Sequence, residues 1–225
     1  MIGVFDYTVL LTYASLISAS LGTIIALSDG GHPYLGTFFL LFCGLCDAFD
    51  GKVAHTKKNR TDFERSFGIQ IDSLSDVLAF GVLPAAIGMA SIYRSPSIQK
   101  LFDDCGIIMY IGYAIVVLYV LAAMIRLAYF NVTEEERQRV ETGTRKYYVG
   151  LPVTSAALIF PSVMLLNYVL PMDLSIIFVP VMLITALCFL LKFKMPKVGL
   201  RGILIMVGIG VLECAALVFV LLNRR

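Results

Sequence analysis

Apolar residues dominate the chain in long runs that short polar stretches separate. Seven such runs can be drawn, at residues 8–28, 33–53, 69–92, 106–130, 152–170, 173–193 and 201–222. Each approaches or exceeds the ~20 residues that an α-helix needs to cross a bilayer. Turn sequences at residues 29–33 and 171–173 are so short that the helices on either side must be antiparallel. The pattern therefore predicts an all-α integral membrane protein, built as a serpentine polytopic bundle.

Composition supports this interpretation and excludes one class of partner. Hydrophobic residues make up 59% of the 225 residues and charged residues only 15%. A chain this apolar cannot form a soluble core with a polar coat. The net charge is only +2, and the basic residues are interleaved with acidic ones. We therefore expect membrane lipids around the protein and no binding of nucleic acid.

Lysine and arginine are distributed unequally between the two sides of the predicted bundle. With a cytoplasmic N-terminus, the inside loops collect thirteen of them, whereas the outside loops and the C-terminus hold four. Short cytoplasmic loops of membrane proteins carry an excess of positive charge. This bias predicts that the loop between the second and third helices faces the cytoplasm.

Four aspartates lie where the second run ends and the third begins. Asp47 and Asp50 are three residues apart and Asp72 and Asp76 are four apart, so each pair shares one helix face. Burying one ionised group at membrane depth costs roughly 2.5–3.5 kcal/mol, so four carboxylates need a counter-charge or a water-filled cavity. Carboxylate oxygens suit magnesium, manganese or calcium. The spacing thus predicts a divalent-cation site, with an ion-pair network to neighbouring lysine and arginine residues as the structural alternative.

The signature around these aspartates resembles that of a known family. From Asp47 to Asp76 the chain reads Asp-x-x-Asp-Gly-x-x-Ala, a spacer, then Gly-x-x-x-Asp-x-x-x-Asp, as in the CDP-alcohol phosphatidyltransferases. Three stretches are similar to the serine-accepting branch of that family: Asp72-Ser73-Leu74-x-Asp76 with Phe80-Gly81-x-x-Pro84, Arg126-Leu-Ala-Tyr-Phe130-Asn131, and Gly150-Leu-Pro152. Two features depart from the family. His55 replaces its arginine, and twelve residues separate His55 from Gly68.

The resemblance implies a fold, an activity and a location. It implies one membrane domain over residues 1–225, with six to seven transmembrane helices and the active site at the cytoplasmic ends of helices 2 and 3. The expected enzyme transfers a phosphatidyl group from CDP-diacylglycerol to L-serine, depends on one or two Mg²⁺ or Mn²⁺ ions, and forms a homodimer in a bacterial cell membrane. Glycerol 3-phosphate or inositol phosphate stays open as the acceptor. A cation-coupled transporter is the alternative from another class.

The same resemblance assigns roles to particular residues. The metal ligands it implies are Asp47, Asp50, Asp72 and Asp76, and Asp76 is also the expected general base. Residues expected to contact the CDP-lipid are Gly51, Ala54, His55, Gly68 and Ser73, and Gly68 is expected to begin the third helix. Residues expected to bind serine or phosphate are Arg126, Arg145 and Lys146, with a plain membrane anchor as the alternative for Arg126.

Two features lie outside this signature. Residues 131–150 are polar, and Thr133 with Glu136 indicates a short, separately capped surface helix. Glu213 stands alone in the last apolar run, where we expect it to be protonated or to face a neighbour such as serine or tyrosine.

Overall fold

The computed structural model describes residues 2–28, 32–140, 147–169, 175–196 and 200–223. In these ranges, four helices are long and apolar enough to cross a membrane, and three shorter apolar helices accompany them. Many large apolar side chains on these helices are exposed, including Leu10, Leu118 and Leu212, as a lipid-facing surface requires. The prediction of an all-α polytopic membrane protein is confirmed.

The apolar runs become helices in the order the sequence indicates. The helices are α1 (Leu10–Leu27), α2 (Pro33–Ala54), α3 (Asp62–Asp76), α4 (Leu83–Arg94), α5 (Pro96–Asp104), α6 (Ile107–Val140), α7 (Ala156–Val169), α8 (Ser175–Leu190) and α9 (Leu200–Asn223). A π-helical segment, Val77–Val82, joins α3 to α4, so that one continuous helix spans Asp62–Arg94. A 3-10 turn, Val153–Ser155, precedes α7. Two short strands, β1 (Tyr147–Val149) and β2 (Lys194–Pro196), pair antiparallel.

The third membrane helix begins earlier than its apolar run. Thr61 and Glu64 form a capping box, in which the Glu64 N–H donates to Thr61 Oγ1 (3.1 Å) and the Thr61 N–H donates to Glu64 Oε2 (2.9 Å). The expectation that Gly68 begins this helix is therefore wrong. Because the polar first turns precede the apolar part, Asp72 and Asp76 lie well inside the continuous helix Asp62–Arg94.

Helix α6 also extends beyond its apolar part. It has 34 residues, which at about 1.5 Å per residue gives a length of ~50 Å against a hydrocarbon core of ~30 Å. The expected separate helix capped at Thr133 is wrong, because Thr133 lies inside α6 and its Oγ1 donates to the Tyr129 carbonyl (2.8 Å). An ion pair between Glu134 and Arg137 supports this polar end of the helix.

Side-chain hydrogen bonds and aromatic packing connect the helices around the site. Helix α1 packs against α2 and α4, and α6 packs against α8. Ser75 Oγ on α3 donates to the Thr12 carbonyl on α1 (3.3 Å). In the core, the Tyr119 ring meets Phe160 edge-on, with the ring centroids 5.5 Å apart, and Phe160 stacks on Phe178. These contacts join α3 to α1, and they join α6 to α7 and α8.

Candidate carboxylate site

The four aspartates face one another across α2 and α3. Asp47 and Asp50 lie in the last turns of α2, and Asp72 and Asp76 lie in the last turns of α3. The carboxyl groups of Asp50 and Asp72 interact directly, and the charges of Asp47, Asp72 and Asp50 all act on Asp76. Asp76 is buried, with 8% of its surface exposed, whereas the other three are partly exposed. The two pairs of aspartates therefore approach each other across the helices.

The donor set of this site fits a divalent cation. Among the described residues, the ion pairs lie elsewhere, and none joins these four carboxylates to a lysine or arginine. The alternative of an ion-pair network therefore finds no support in this part of the chain. In the described ranges, no three or more His, Cys, Asp or Glu side chains are already arranged to hold a metal ion. Four like charges without a cationic partner are what a bound Mg²⁺ or Mn²⁺ would compensate.

Open space lies beside the signature glycine of α2. A Cβ atom built on Gly51 has no neighbour within 4 Å, and the residue is exposed. The Gly51 N–H donates to the Asp50 side chain, and the Gly51 carbonyl accepts from the N–H of His55 (3.1 Å), the exposed residue at the end of the helix. Ala54 is half-buried one turn beyond the aspartates. This face of α2 leaves room for a ligand to approach the backbone, as expected.

The second signature glycine has a different neighbour. A Cβ atom on Gly68 would lie 2.6 Å from Arg60 Nη2, so the guanidinium of Arg60 occupies the space beside this glycine. Arg60 belongs to none of the sequence motifs. It stands in the lengthened loop between α2 and α3, and that departure from the family length is the signal that could have drawn attention to it.

Ser73 is held by a residue from α6. Its Oγ donates to the Ile69 carbonyl (3.0 Å) and accepts a hydrogen bond from Asn131 Nδ2 (2.6 Å). Ser73 follows Asp72 directly, so this bond connects α6 to the aspartate-bearing part of α3. The sequence motif contains Asn131, but sequence reasoning assigned it no role because its partner is 58 positions away.

Arg126 is buried and bound to the loop before α7. Only 5% of its surface is exposed, which does not fit a plain anchor at the membrane surface. Its Nε donates to the Leu151 carbonyl (3.0 Å), and its guanidinium lies 5.8 Å from the centre of the Phe130 ring. The structure thus places Arg126 against the Gly-Leu-Pro stretch that the sequence singled out. Arg145 and Lys146 lie outside the described residues.

Gly150 in that stretch has a conformation that other residues rarely adopt. Its φ is +76°, and a Cβ atom there would lie 2.8 Å from the Leu191 carbonyl oxygen. The Gly150 N–H donates to the Phe193 carbonyl (2.7 Å). The loop carrying Leu151 is therefore docked on the end of α8, which fixes the partner of Arg126.

Glu213 lies apart from this site. Ser162 Oγ on α7 donates to Glu213 Oε1 on α9, which is one of the partners expected for this lone carboxylate. The other oxygen, Oε2, is buried and has no hydrogen-bond partner among the described residues.

The fold and the site define a polytopic membrane protein with a carboxylate centre inside the bundle. The family model described as CDP-alcohol phosphatidyltransferase matches residues 7–192. The chain therefore belongs to the CDP-alcohol phosphatidyltransferase family, whose members generally depend on a divalent metal ion.

Relatives with curated names are similar to parts of this chain. A CDP-diacylglycerol–serine O-phosphatidyltransferase of Saccharomyces cerevisiae is 37% identical over 131 residues, which are 57% of this chain and 41% of that protein. An archaetidylserine synthase of Methanothermobacter thermautotrophicus is 33% identical over 168 residues, 74% of this chain and 62% of that protein. A CDP-diacylglycerol–serine O-phosphatidyltransferase of Helicobacter pylori is 30% identical over 159 residues, 69% of this chain and 58% of that protein.

The chain thus spans between 41% and 62% of the length of these three relatives. No solved structure matches the chain at a significant level.

Proposed function

We propose that the protein transfers the phosphatidyl group of CDP-diacylglycerol to the hydroxyl of L-serine, giving phosphatidylserine and CMP. The observation that carries this proposal is the convergence of four signature carboxylates, from α2 and α3, beside the open face of Gly51. The names of the relatives from S. cerevisiae and H. pylori support serine as the acceptor.

In the proposed reaction the protein positions its substrates and stabilises charge, because phosphoryl transfer needs little covalent chemistry from a protein. Asp47, Asp50 and Asp72 would hold the divalent cation, Mg²⁺ or Mn²⁺, one or two ions. When bound, such an ion neutralises charge on the diphosphate of the substrate. The open space beside Gly51 would receive the nucleotide, next to Ala54 on the same helix.

Asp76 is the proposed general base and a further metal ligand. It accepts the proton of the serine hydroxyl while that oxygen bonds to the lipid-side phosphorus. The bond from this phosphorus to the bridging oxygen breaks, and its electron pair leaves with CMP. The burial of Asp76 supports this role, because few waters can compete with the bound hydroxyl there.

Serine brings both a carboxylate and an ammonium, so its site has to pair both charges. Arg126, Arg145 and Lys146 are the proposed cations for the carboxylate or for a phosphate. Arg126 would have two roles. Its hydrogen bond to the Leu151 carbonyl supports a role in positioning the loop at residues 150–152, in addition to binding the substrate.

The remaining expectations belong to the same proposal. Residues 1–225 would act as one membrane domain, as a homodimer, with the carboxylate site facing the cytoplasm of a bacterial cell. The positive charges of the loop between α2 and α3 support this orientation.

The experiment that tests this function measures product formation by the purified protein. CDP-diacylglycerol is incubated with L-serine, glycerol 3-phosphate or inositol phosphate, with and without a chelator. Of the three alcohols, we expect only L-serine to give a lipid product, phosphatidylserine, together with released CMP. Both products should be lost after chelation, and their formation should recover when Mg²⁺ or Mn²⁺ is added. A lipid product with another alcohol would contradict the acceptor, and full activity after exhaustive chelation would contradict the metal site.

A further inference from the structure

Arg60 is a partly buried cation in the loop between α2 and α3. Its Nη2 donates to the Glu64 carbonyl (3.2 Å), which folds the side chain back along the first turns of α3. Its Nε is buried and has no hydrogen-bond partner among the described residues. In this part of the chain it also forms no ion pair. A guanidinium held in this way retains donors that no group in the described part of the chain uses.

The guanidinium lies on the face of α3 that carries the aspartates. Gly68, Asp72 and Asp76 follow one another at intervals of four residues, so they share one helix face. The Arg60 guanidinium contacts this face at Gly68. One helical turn rises about 5.4 Å, so the point at which Arg60 contacts α3 lies about one turn from Asp72.

The charge of Arg60 complements what the carboxylate site lacks. Guanidinium groups bind phosphate with two parallel hydrogen bonds and tolerate partial burial. The residue that follows Ala54 is a histidine, so the end of α2 supplies no guanidinium at that position. Arg60, in the long loop between α2 and α3, supplies a guanidinium from the side of α3 instead.

We propose that Arg60 binds the diphosphate of the CDP-lipid, next to the cation held by the aspartates. This inference rests on the proposed function for its substrate. It also explains Gly68, because any side chain there would push the guanidinium away from the helix. Arg60 is therefore a substrate-binding residue, and Gly68 is the residue that gives it room.

The test measures the KM for CDP-diacylglycerol in neutral detergent with Mn²⁺. It compares the wild type with Arg60→Ala, Arg60→Lys, Gly68→Ala and the double variant. Loss of a charged hydrogen bond predicts a KM about 10- to 100-fold higher for Arg60→Ala, with the serine KM unchanged. Arg60→Lys keeps the charge without the two-point contact, so its KM should lie between those of Arg60→Ala and the wild type. Gly68→Ala should raise the same KM, and combining it with Arg60→Ala should add little.

Arg65→Ala is the matched control, because Arg65 is an exposed arginine in the first turns of α3, close in sequence to Arg60. It should leave the CDP-diacylglycerol KM unchanged. An Arg60→Ala enzyme with a wild-type KM would overturn the inference, and so would equal effects of Arg60→Ala and Arg65→Ala. If Arg60→Ala does not fold, Arg60→Lys and Gly68→Ala decide, and wild-type KM values for both overturn it.

Two further measurements complete the test. The first separates the diphosphate of the CDP-lipid from an anionic lipid headgroup as the ligand of Arg60, and the second separates this inference from the proposed function. In vesicles with and without phosphatidylglycerol, the effect of Arg60→Ala should be the same. An effect seen only with phosphatidylglycerol would show that Arg60 binds a lipid headgroup instead. Equilibrium binding of CDP-diacylglycerol without any acceptor tests Arg60 even if no phosphatidylserine forms. Weaker binding by Arg60→Ala supports the inference in that case, although the proposed acceptor would be wrong.

Discussion

Asp76 has surroundings that differ from those of the other three aspartates. It is buried on α3, one turn beyond Asp72. The negative charges of the other three carboxylates all interact with it electrostatically. A general base contributes mainly to the chemical step, whereas a metal ligand also controls occupancy of the metal site. The two roles proposed for Asp76 therefore predict different kinetics when its charge is removed.

Asp76→Asn keeps the shape of the side chain and removes the proton acceptor. We expect the kcat of this variant to fall by about 10²- to 10⁴-fold, while Mn²⁺ and CDP-diacylglycerol still bind. The kcat should not recover at high metal concentration. Asp50→Asn is the matched control at a partly exposed position, and excess metal should restore part of its activity. Recovery of Asp76→Asn by excess metal would show that Asp76 acts chiefly as a ligand.

Single residues were easier to select from the sequence than their partners were. The four aspartates share their faces through local spacing, so their convergence could be predicted. The contacts Arg60–Gly68, Asn131–Ser73 and Arg126–Leu151 could not, because each depends on how a loop or a distant helix is placed.

At the scale of elements, the π-helical segment Val77–Val82 follows the aspartates directly. A π-helical turn holds more residues than an α-helical turn, so it changes which faces of α3 and α4 align. The Phe80 carbonyl in this segment accepts a hydrogen bond from the hydroxyl of Tyr119 (2.6 Å), whose side chain is fully buried on α6. This bond satisfies a carbonyl inside the bundle and joins the wide turn that follows Asp76 to α6.

Tyr119→Phe removes this hydroxyl and keeps the ring against Phe160. A buried carbonyl without a partner costs about 1–3 kcal/mol, so we expect a lower Tm. Because the wide turn loses its support, we also expect kcat to fall about tenfold or more and the Mn²⁺ spectrum by electron paramagnetic resonance to change. Tyr13→Phe is the matched control, since its hydroxyl donates to the Val4 carbonyl (2.8 Å) outside the site. Similar losses of kcat in both variants would contradict a positioning role for Tyr119.

The apolar runs predicted the membrane helices well, because a segment in lipid must satisfy its own backbone. The polar extensions were not predicted. Helix α3 begins at a capping box, and α6 continues past its apolar end. Helix α5, the π-helical segment and the β1–β2 pair were also missed, because they depend on side-chain contacts or on pairing between distant segments.

At the scale of the whole molecule, the N-terminal segment is fastened to the loop beside the carboxylate site. Lys57 Nζ lies 2.7 Å from Asp6 Oδ2 and 2.8 Å from Glu64 Oε1. The hydrogen bonds from Lys57 and Thr8 lower the pKa of Asp6 to about 2. A lowered pKa in the folded state stabilises the fold above the ordinary aspartate pKa, and this contribution is lost as the pH falls towards 2. The Asp6 carboxyl group is therefore ionised at neutral pH, as its ion pair with Lys57 requires.

The orientation of the whole bundle can be tested at this loop and at the opposite end of the third membrane helix. Asn59 is exposed in the loop between α2 and α3, and Cys105 is an exposed native cysteine between α5 and α6. One continuous helix, Asp62–Arg94, separates the two positions, so they should lie on opposite sides of the membrane. The excess of positive charge predicts that Asn59 is cytoplasmic and Cys105 is external.

In intact cells, a membrane-impermeant maleimide should therefore label the wild-type protein at Cys105. A cysteine at position 59, made by Asn59→Cys together with Cys105→Ser, should be labelled only after the cells are permeabilised. The Cys105→Ser protein is the control for the remaining cysteines, of which Cys43 and Cys46 are buried. Labelling of Asn59→Cys from outside would reverse the orientation and place the carboxylate site on the external face. Since CDP-linked lipids and CMP are handled in the cytoplasm, that result would also remove the substrate supply on which the proposed function depends.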